Sequence, residues 1–165
     1  MNIKGRVWKF GDEISTDLMM PVSARYGKVP EGEAKFSCLS AIRPEFSRNV
    51  SPEDIVICGK HCGAGSSRPA PRLFVELKVG CIIAESFSHL FFRNAIAIGF
   101  PAIELQGISH EFKDGEQAEV VFEKGELRNL TSGKIMYFKP YPKIIQELFE
   151  LGGVKALLKK EFINN

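Results

Sequence analysis

The segment from residue 54 to residue 105 constrains the fold most strongly, because short apolar runs alternate along it with stretches of helical spacing. The apolar runs are rich in β-branched residues and are typical of buried strands. Strands that alternate with helices favour parallel pairing. The sequence therefore predicts an α/β fold with a partly parallel central sheet and a βαβαβ core. We predict strands over residues 54–58, 81–84 and 101–105, and helices over residues 70–79 and 89–98.

The chain on either side of this core has a different character. Residues 3–10 predict a first strand, and residues 22–35 are polar, contain glycine and proline, and predict a long loop of functional importance. Three short strands separated by glycine turns predict a C-terminal antiparallel meander, and one or two helices follow it. The meander strands are expected over residues 118–122, 126–130 and 134–138, and the helices over residues 144–151 and 154–162, with Gly152 and Gly153 between them.

A glycine-rich loop joins the first strand of the core to its first helix. Residues 59–68 read Gly-Lys-His-Cys-Gly-Ala-Gly-Ser-Ser-Arg, with three glycines, two hydroxyls and a guanidinium. Free N–H groups at a strand's carboxyl end and a helix's N terminus favour carboxylate or phosphate. The alternative is a connection that only lets strand and helix pack closely. Neither the Walker pattern nor the Rossmann pattern is present.

Composition excludes several classes of protein. With 165 residues, of which 44% are hydrophobic, we expect a single domain over residues 1–165. The 22 basic and 20 acidic residues are spread along the chain, so no nucleic-acid surface is predicted. No apolar run has membrane-spanning length and the N terminus lacks a signal-peptide core, so we expect a cytoplasmic protein without a membrane partner.

The four cysteines, Cys38, Cys58, Cys62 and Cys81, form no Cys-x-x-Cys pair. Cys58 and Cys81 lie in predicted strands, where a thiol usually packs as a small hydrophobic group. Cys58 and Cys62 have a spacing that could serve a metal, but the histidines lie elsewhere. We therefore predict no metal ligands and no cofactor-binding residues on this chain.

Four separated stretches carry a resemblance that covers nearly the whole chain. They are residues 11–17 with Pro21, residues 63–68, residues 84–101, and the Gly152-Gly153 pair. In this order they resemble the small subunit of 3-isopropylmalate dehydratase (isopropylmalate isomerase), which is equivalent to the swivelling domain of aconitase. The resemblance implies a swivelling β/β/α domain.

The resemblance also implies an activity, a cofactor and a partner. The activity is that of a hydro-lyase that isomerises a hydroxy dicarboxylate, 3-isopropylmalate and 2-isopropylmalate in leucine biosynthesis. A [4Fe-4S] cluster acts there as Lewis acid and is bound by a separate large subunit, in a heterodimer or heterotetramer. This agrees with the lack of a cluster-binding cysteine set in the sequence.

The same resemblance implies roles for individual residues. Ser66 is the base, in its alkoxide form during the cycle. Ser67 and Arg68 bind a substrate carboxylate, and the loop residues Gly63, Ala64 and Gly65 hold the anion. Arg25 either receives an additional substrate carboxylate, as in homoaconitase-like members, or is solvated. Taken alone, Ser66 is better explained as a helix-capping hydroxyl than as the base, and the other three motif matches reverse that preference.

Two departures from the family pattern leave the substrate open. Pro69-Ala70-Pro71 follows Arg68 where the family has Glu-His-Ala, and residues 22–26 differ from the usual Tyr-Leu-containing stretch. The alternatives are a homoaconitase-like small subunit, a dehydratase of methyl-substituted malates, and a non-catalytic domain that binds a carboxylate. Outside the loop, we expect Thr16 and Asp17 to fix a turn.

Overall fold

The computed structural model describes residues 1–24, 28–30, 32–65 and 68–163. These residues form a mixed sheet of seven strands, in the order β4-β3-β2-β1-β5-β6-β7. The strands are β1 (Asn2–Lys9), β2 (Ile55–Cys58), β3 (Cys81–Ala84), β4 (Ala102–Glu104), β5 (Gln117–Val121), β6 (Glu126–Asn129) and β7 (Ile135–Tyr137).

The helices of the described residues are mostly short. They are α1 (Thr16–Met19), α2 (Phe46–Asn49), α3 (Pro71–Glu76), α4 (His89–Ala97), α5 (Ile108–Glu111), α6 (Lys143–Leu151) and α7 (Val154–Ile163). Two 3₁₀ turns, Val22–Ala24 and Ala34–Ser37, lie in the excursion between β1 and β2. Residues 25–27 and 31 of the predicted long loop lie outside the described residues.

Strand β1 divides the sheet into a parallel half and an antiparallel half. It pairs in parallel with β2, and β2 with β3 and β3 with β4 are also parallel, as the βαβαβ pattern predicts. On its other side β1 pairs antiparallel with β5, and β5, β6 and β7 form the predicted meander. The α/β fold with a partly parallel sheet and a C-terminal meander is confirmed.

Two hydrophobic cores lie on opposite faces of the sheet. Val56 and Ile82 pack in one core with Phe74 of α3. Their strand neighbours Ile57 and Ile83 pack in the other core. Successive side chains of a strand point to opposite faces, so strands buried at every residue require cover on both faces. Helices α3 and α4 cover the first core, and α5 and α6 cover the second.

The residues at its start determine where the helix after the glycine loop begins. Ala70 is the N-cap of α3 and Pro71 its first residue, where the missing N–H would have no partner in the helix. Leu73 and Phe74 of this helix are fully buried. Within the part of the chain that the structure describes, no helix is both long and apolar enough to span a bilayer.

Candidate functional site

The glycine-rich loop leaves the carboxyl end of β2 and runs against the segment that follows β1. The Gly59 N–H donates to the Gly11 carbonyl at 2.9 Å, and the Gly63 N–H donates to the Ile14 carbonyl at 2.7 Å. The Thr16 N–H, at the start of α1, donates to the Ala64 carbonyl at 2.9 Å. The loop is therefore bonded along its length to the first of the sequence motifs.

The opposite side of the loop is bonded to the segment that joins β3 to α4. The Cys62 N–H donates to the Ser86 carbonyl and the Ser88 N–H donates to the Cys62 carbonyl, each at 2.9 Å. The Ser88 hydroxyl donates to the Gly63 carbonyl at 2.7 Å and accepts the Phe91 N–H at 3.3 Å, which caps α4. Three motifs that are distant in the sequence meet at this loop.

Position 63 requires glycine for two reasons, the conformation of its backbone and the lack of room for a side chain. Its φ of 77° is in the left-handed region, and a Cβ placed on it would lie 2.2 Å from Cγ of Phe91. That ring stacks on Phe87, with ring centroids 5.7 Å apart. The close approach seats the loop directly on α4, at the end of the sheet where ligands of parallel α/β folds bind.

The predicted site residues fall into two groups. Gly63, Ala64 and Gly65 lie in the loop as expected, and Gly65 has a φ of 110°. A Cβ at Gly65 would lie 3.5 Å from Thr16 Oγ1. The predicted base, Ser66, and the predicted substrate-binding residues Ser67 and Arg25 lie outside the described residues.

Arg68 lies at the far end of the loop and reaches back towards α1. Its Nε is 3.0 Å from Oδ1 of Asp17, and its Nη1 donates a hydrogen bond to the Met20 carbonyl at 2.5 Å. The Arg68 side chain is 10% exposed and that of Asp17 is 53% exposed. The guanidinium is thus held beside the loop by a carboxylate and a carbonyl of the same short helical turn.

The contact between Asp17 and Arg68 was not predicted from the sequence. Asp17 was expected to fix a turn, whereas the hydroxyl that caps α1 belongs to Ser15, which accepts the Leu18 N–H at 3.2 Å. The sequence did show that Asp17 and Arg68, which have opposite charges, belong to two motifs of the same family. Nothing local in either motif indicates that the two side chains meet.

Three other polar residues flank the loop. Lys60 and His61 are exposed, and their N–H groups donate to Asp12 Oδ1 at 2.8 Å and to Ser86 Oγ at 3.0 Å. Asn94 of α4 lines a cleft together with Pro69 and Pro71. It therefore borders the start of α3, immediately after the loop.

The cysteines pack as small hydrophobic groups. All four are buried. Burial raises the pKa of the thiols of Cys38 and Cys81, and a hydrogen bond with Cys58 together with burial raises the pKa of the Cys62 thiol. Over the described ranges, no group of three or more His, Cys, Asp or Glu side chains could hold a metal ion. These residues do not fit the ligand set of an iron–sulfur cluster.

Comparison with known proteins places this fold and loop in a family. The model of the Aconitase C-terminal domain matches residues 23–107. The chain is 42% identical over 160 residues to the isopropylmalate/citramalate isomerase small subunit of Methanocaldococcus jannaschii, covering 96% of this chain and 95% of the relative. It is also 42% identical over 161 residues to 3-isopropylmalate dehydratase small subunit 1 of Thermotoga maritima, covering 96% and 95%.

A solved structure gives the same result in three dimensions. The crystal structure of 3-isopropylmalate dehydratase from Methanocaldococcus jannaschii superposes with a TM-score of 0.90 at 30% identity, over 99% of this chain and 97% of that one. The resemblance drawn from the four motifs is confirmed by these nearly full-length matches. The chain belongs to the family of 3-isopropylmalate dehydratase small subunits, and its residues 23–107 match the Aconitase C-terminal domain.

Proposed function

We propose that this chain is the small subunit of an iron–sulfur hydro-lyase that isomerises 3-isopropylmalate and 2-isopropylmalate in leucine biosynthesis. The observation that carries the proposal is the bonding of two motif segments to the glycine loop, itself the third motif, at the carboxyl ends of parallel strands. Relatives that align over nearly the whole chain are named small subunits of that enzyme, which supports the same assignment. The loop supplies the anion-binding part of the active site.

The residues of this chain bind the substrate and move one proton. Arg68 receives a substrate carboxylate with its planar, two-pronged guanidinium, and Ser67 adds a hydroxyl donor. Ser66 removes the proton next to a carboxylate. A serine hydroxyl is a weak acid, so its anion must be stabilised by donors that are already in place. The N–H groups of Ser67 and Arg68 are candidates, whereas Pro69 and Pro71 have no N–H to donate and the Ala70 N–H already donates to the Arg68 carbonyl at 2.7 Å.

In this proposal the partner subunit binds the iron–sulfur cluster. Membership of the aconitase family indicates an iron–sulfur enzyme. We assign the [4Fe-4S] cluster to a large subunit, because the cysteines of this chain are buried apolar neighbours rather than a ligand set. When bound, the cluster supplies a Lewis acid for the substrate hydroxyl. The complex is a heterodimer or a heterotetramer.

A second candidate substrate is a methyl-substituted malate. The M. jannaschii relative, at 42% identity, is named an isopropylmalate/citramalate isomerase small subunit. Pro69-Ala70-Pro71 and residues 22–26 are the positions at which this chain departs from the usual small-subunit pattern. Arg25 would select a substrate with an additional carboxylate, as in homoaconitase-like enzymes.

The proposal is tested by co-expressing the chain with a large subunit and reconstituting the complex without oxygen. The panel contains 2-isopropylmalate, 3-isopropylmalate, citramalate, malate and homocitrate, and the unsaturated product is followed by its absorbance. We expect the isopropylmalates to give the highest kcat/KM, and the Arg25→Ala complex to change the ranking of the panel. An assembled, cluster-loaded complex that turns over none of these acids would favour the non-catalytic carboxylate-binding alternative.

A further inference from the structure

We infer that Asp17 is a positioning residue that orients the Arg68 guanidinium for a substrate carboxylate, an inference that rests on the proposed function. Helix α1 contacts the glycine-rich loop at two places, through the consecutive residues Thr16 and Asp17. The Thr16 N–H donates to the Ala64 carbonyl at 2.9 Å, and the Asp17 carboxylate lies 3.0 Å from Arg68 Nε. The two contacts are on either side of Gly65, Ser66 and Ser67 in the chain.

The backbone that carries Asp17 is held firmly in place. The Ser15 hydroxyl caps α1, and the Thr16 side chain is buried at 3% exposure. Met19 and Met20, which end this turn, are also buried in the first core. The carboxylate therefore projects from a backbone that is fixed both to the core and to the loop, as a residue that orients another side chain requires.

The contact between the two side chains is electrostatic. Nε of Arg68 is buried, and among the described residues it has no aligned hydrogen-bond acceptor, although Asp17 Oδ1 is 3.0 Å away. The nearby negative charge compensates a guanidinium that is only 10% exposed. The charge of Asp17 near Nε and the hydrogen bond from Nη1 to the Met20 carbonyl together hold the guanidinium against α1. Since a guanidinium has five N–H donors, these contacts leave donors for a bidentate ligand.

A stabilising role alone does not explain the pair. Asp17 is half exposed, so solvent screens the ion pair and limits its contribution to the stability of the fold. The same small interaction has a large consequence at a binding site, because bidentate recognition of a carboxylate requires the guanidinium plane to be correctly oriented. Loss of the charge should therefore affect substrate binding more than stability.

The test uses the Asp17→Asn variant, with Asp17→Glu as the conservative rescue and Glu13→Gln as the matched control. Glu13 is exposed in the same segment, so Glu13→Gln removes the same charge without touching Arg68. In the assembled complex we expect Asp17→Asn to raise KM about tenfold, with kcat nearly unchanged. Asp17→Glu should recover most of the loss, and Glu13→Gln should leave both constants unchanged.

A second measurement does not depend on activity. In ¹⁵N NMR spectra of the full chain, the Nε–Hε signal of Arg68, assigned by its loss in Arg68→Lys, should be resolved and should move to the position of solvent-exposed arginines in Asp17→Asn. An unmoved signal, or a moved signal with an unchanged KM, would overturn the inference. An inactive wild-type complex would refute the proposed function instead, and the NMR result would then decide the inference by itself.

Discussion

The two halves of the sheet differ in how their strands are buried. Strands β2 and β3 are buried at every residue, whereas β6 alternates between buried and half-buried residues. In β7, at the edge of the sheet, Ile135 and Tyr137 are exposed. The parallel half lies between two layers of helices, while the antiparallel meander has one face towards solvent.

The two halves also differ in the connections that leave the ends of their strands. The loops after β1, β2 and β3 are bonded to one another and contain the motifs of the family. The meander is joined by turns at Gly125 and Gly133, and it contributes Leu127 and Phe122 to a core. The parallel half therefore builds the candidate site and the meander stabilises the sheet, so matched substitutions in the two halves should have different effects.

Matched glycines should give the largest difference in stability. Gly63 and Gly133 have φ angles of 77° and 80°, so alanine is strained at both positions by about 1–2 kcal/mol. Only at Gly63 would the new Cβ meet Phe91, which adds roughly 1–3 kcal/mol of overpacking. Urea unfolding should show the larger loss for Gly63→Ala. Equal losses would mean that the loop is not seated on α4 as described.

Matched arginines should separate substrate binding from surface ion pairing. In the assembled complex, Arg68→Lys keeps the charge but loses two-pronged geometry, and we expect KM to rise about tenfold, or about 1.4 kcal/mol. Arg128 of the meander pairs with Glu119 at 3.0 Å and Glu126 at 2.6 Å, and Arg128→Lys should leave KM unchanged. Steady-state kinetics with 2-isopropylmalate measure both. A normal KM in Arg68→Lys would remove the arginine from the substrate site.

Glu85 should show a pH-dependent contribution to stability. Its carboxylate accepts the N–H of Gly107 at 2.7 Å, and the N–H and hydroxyl of Ser109 at 2.8 and 2.6 Å. Burial acts to raise the pKa of Glu85, but the hydrogen bonds from Ser109 and Gly107 outweigh it, so the pKa is lowered. A carboxyl whose pKa is lowered by folding stabilises the protein above its unfolded pKa, about 4.3 for glutamate.

We therefore expect Glu85→Gln to lower the free energy of unfolding by about 1 kcal/mol at pH 7. The difference from the wild type should shrink as the pH falls through the lowered pKa of Glu85. Glu123→Gln is the control, because the Glu123 side chain is 77% exposed. Chemical unfolding at pH 7 and at several acid pH values measures the difference. If the difference in free energy of unfolding between Glu85→Gln and the wild type stays constant with pH, the assigned hydrogen bonds are contradicted.

The smallest effect is expected at the exposed edge of the meander. Tyr137 is 68% exposed on β7, so Tyr137→Ser should change stability by no more than about 0.5 kcal/mol. Turnover of the complex should be unchanged. A fall in turnover without a fall in stability would show that the meander edge contributes to the active complex, and the division between the two halves would have to be redrawn.

The sequence predicted the parallel half well because its signals are local. Apolar runs mark the strands, and Ser88 before α4 and Gly99 after it are residue types that begin and end helices. Helix α1 was not predicted, because a helix of four residues is too short to show helical periodicity.

The candidate site was predictable in part for the same reason. A glycine loop between a strand and a helix indicates an anion site from neighbouring residues alone. The contacts of Arg68 with Asp17 and Met20 join residues far apart in the chain, and no local pattern encodes such contacts. In the proposed function, substrate choice depends on a site that a large subunit completes, and the sequence of one subunit does not contain the residues of the other.

Proton removal by Ser66 is the central claim, and solvent exchange tests it directly. The assembled complex is incubated with substrate in D₂O, and ¹H NMR follows loss of the signal of the hydrogen next to the carboxylate. We expect exchange with the wild type and with Ser132→Ala, a control in a meander turn, and a rate at least about 100-fold lower with Ser66→Ala in an intact complex. Exchange at the wild-type rate in Ser66→Ala, in an intact complex, would contradict the role of Ser66 as the base.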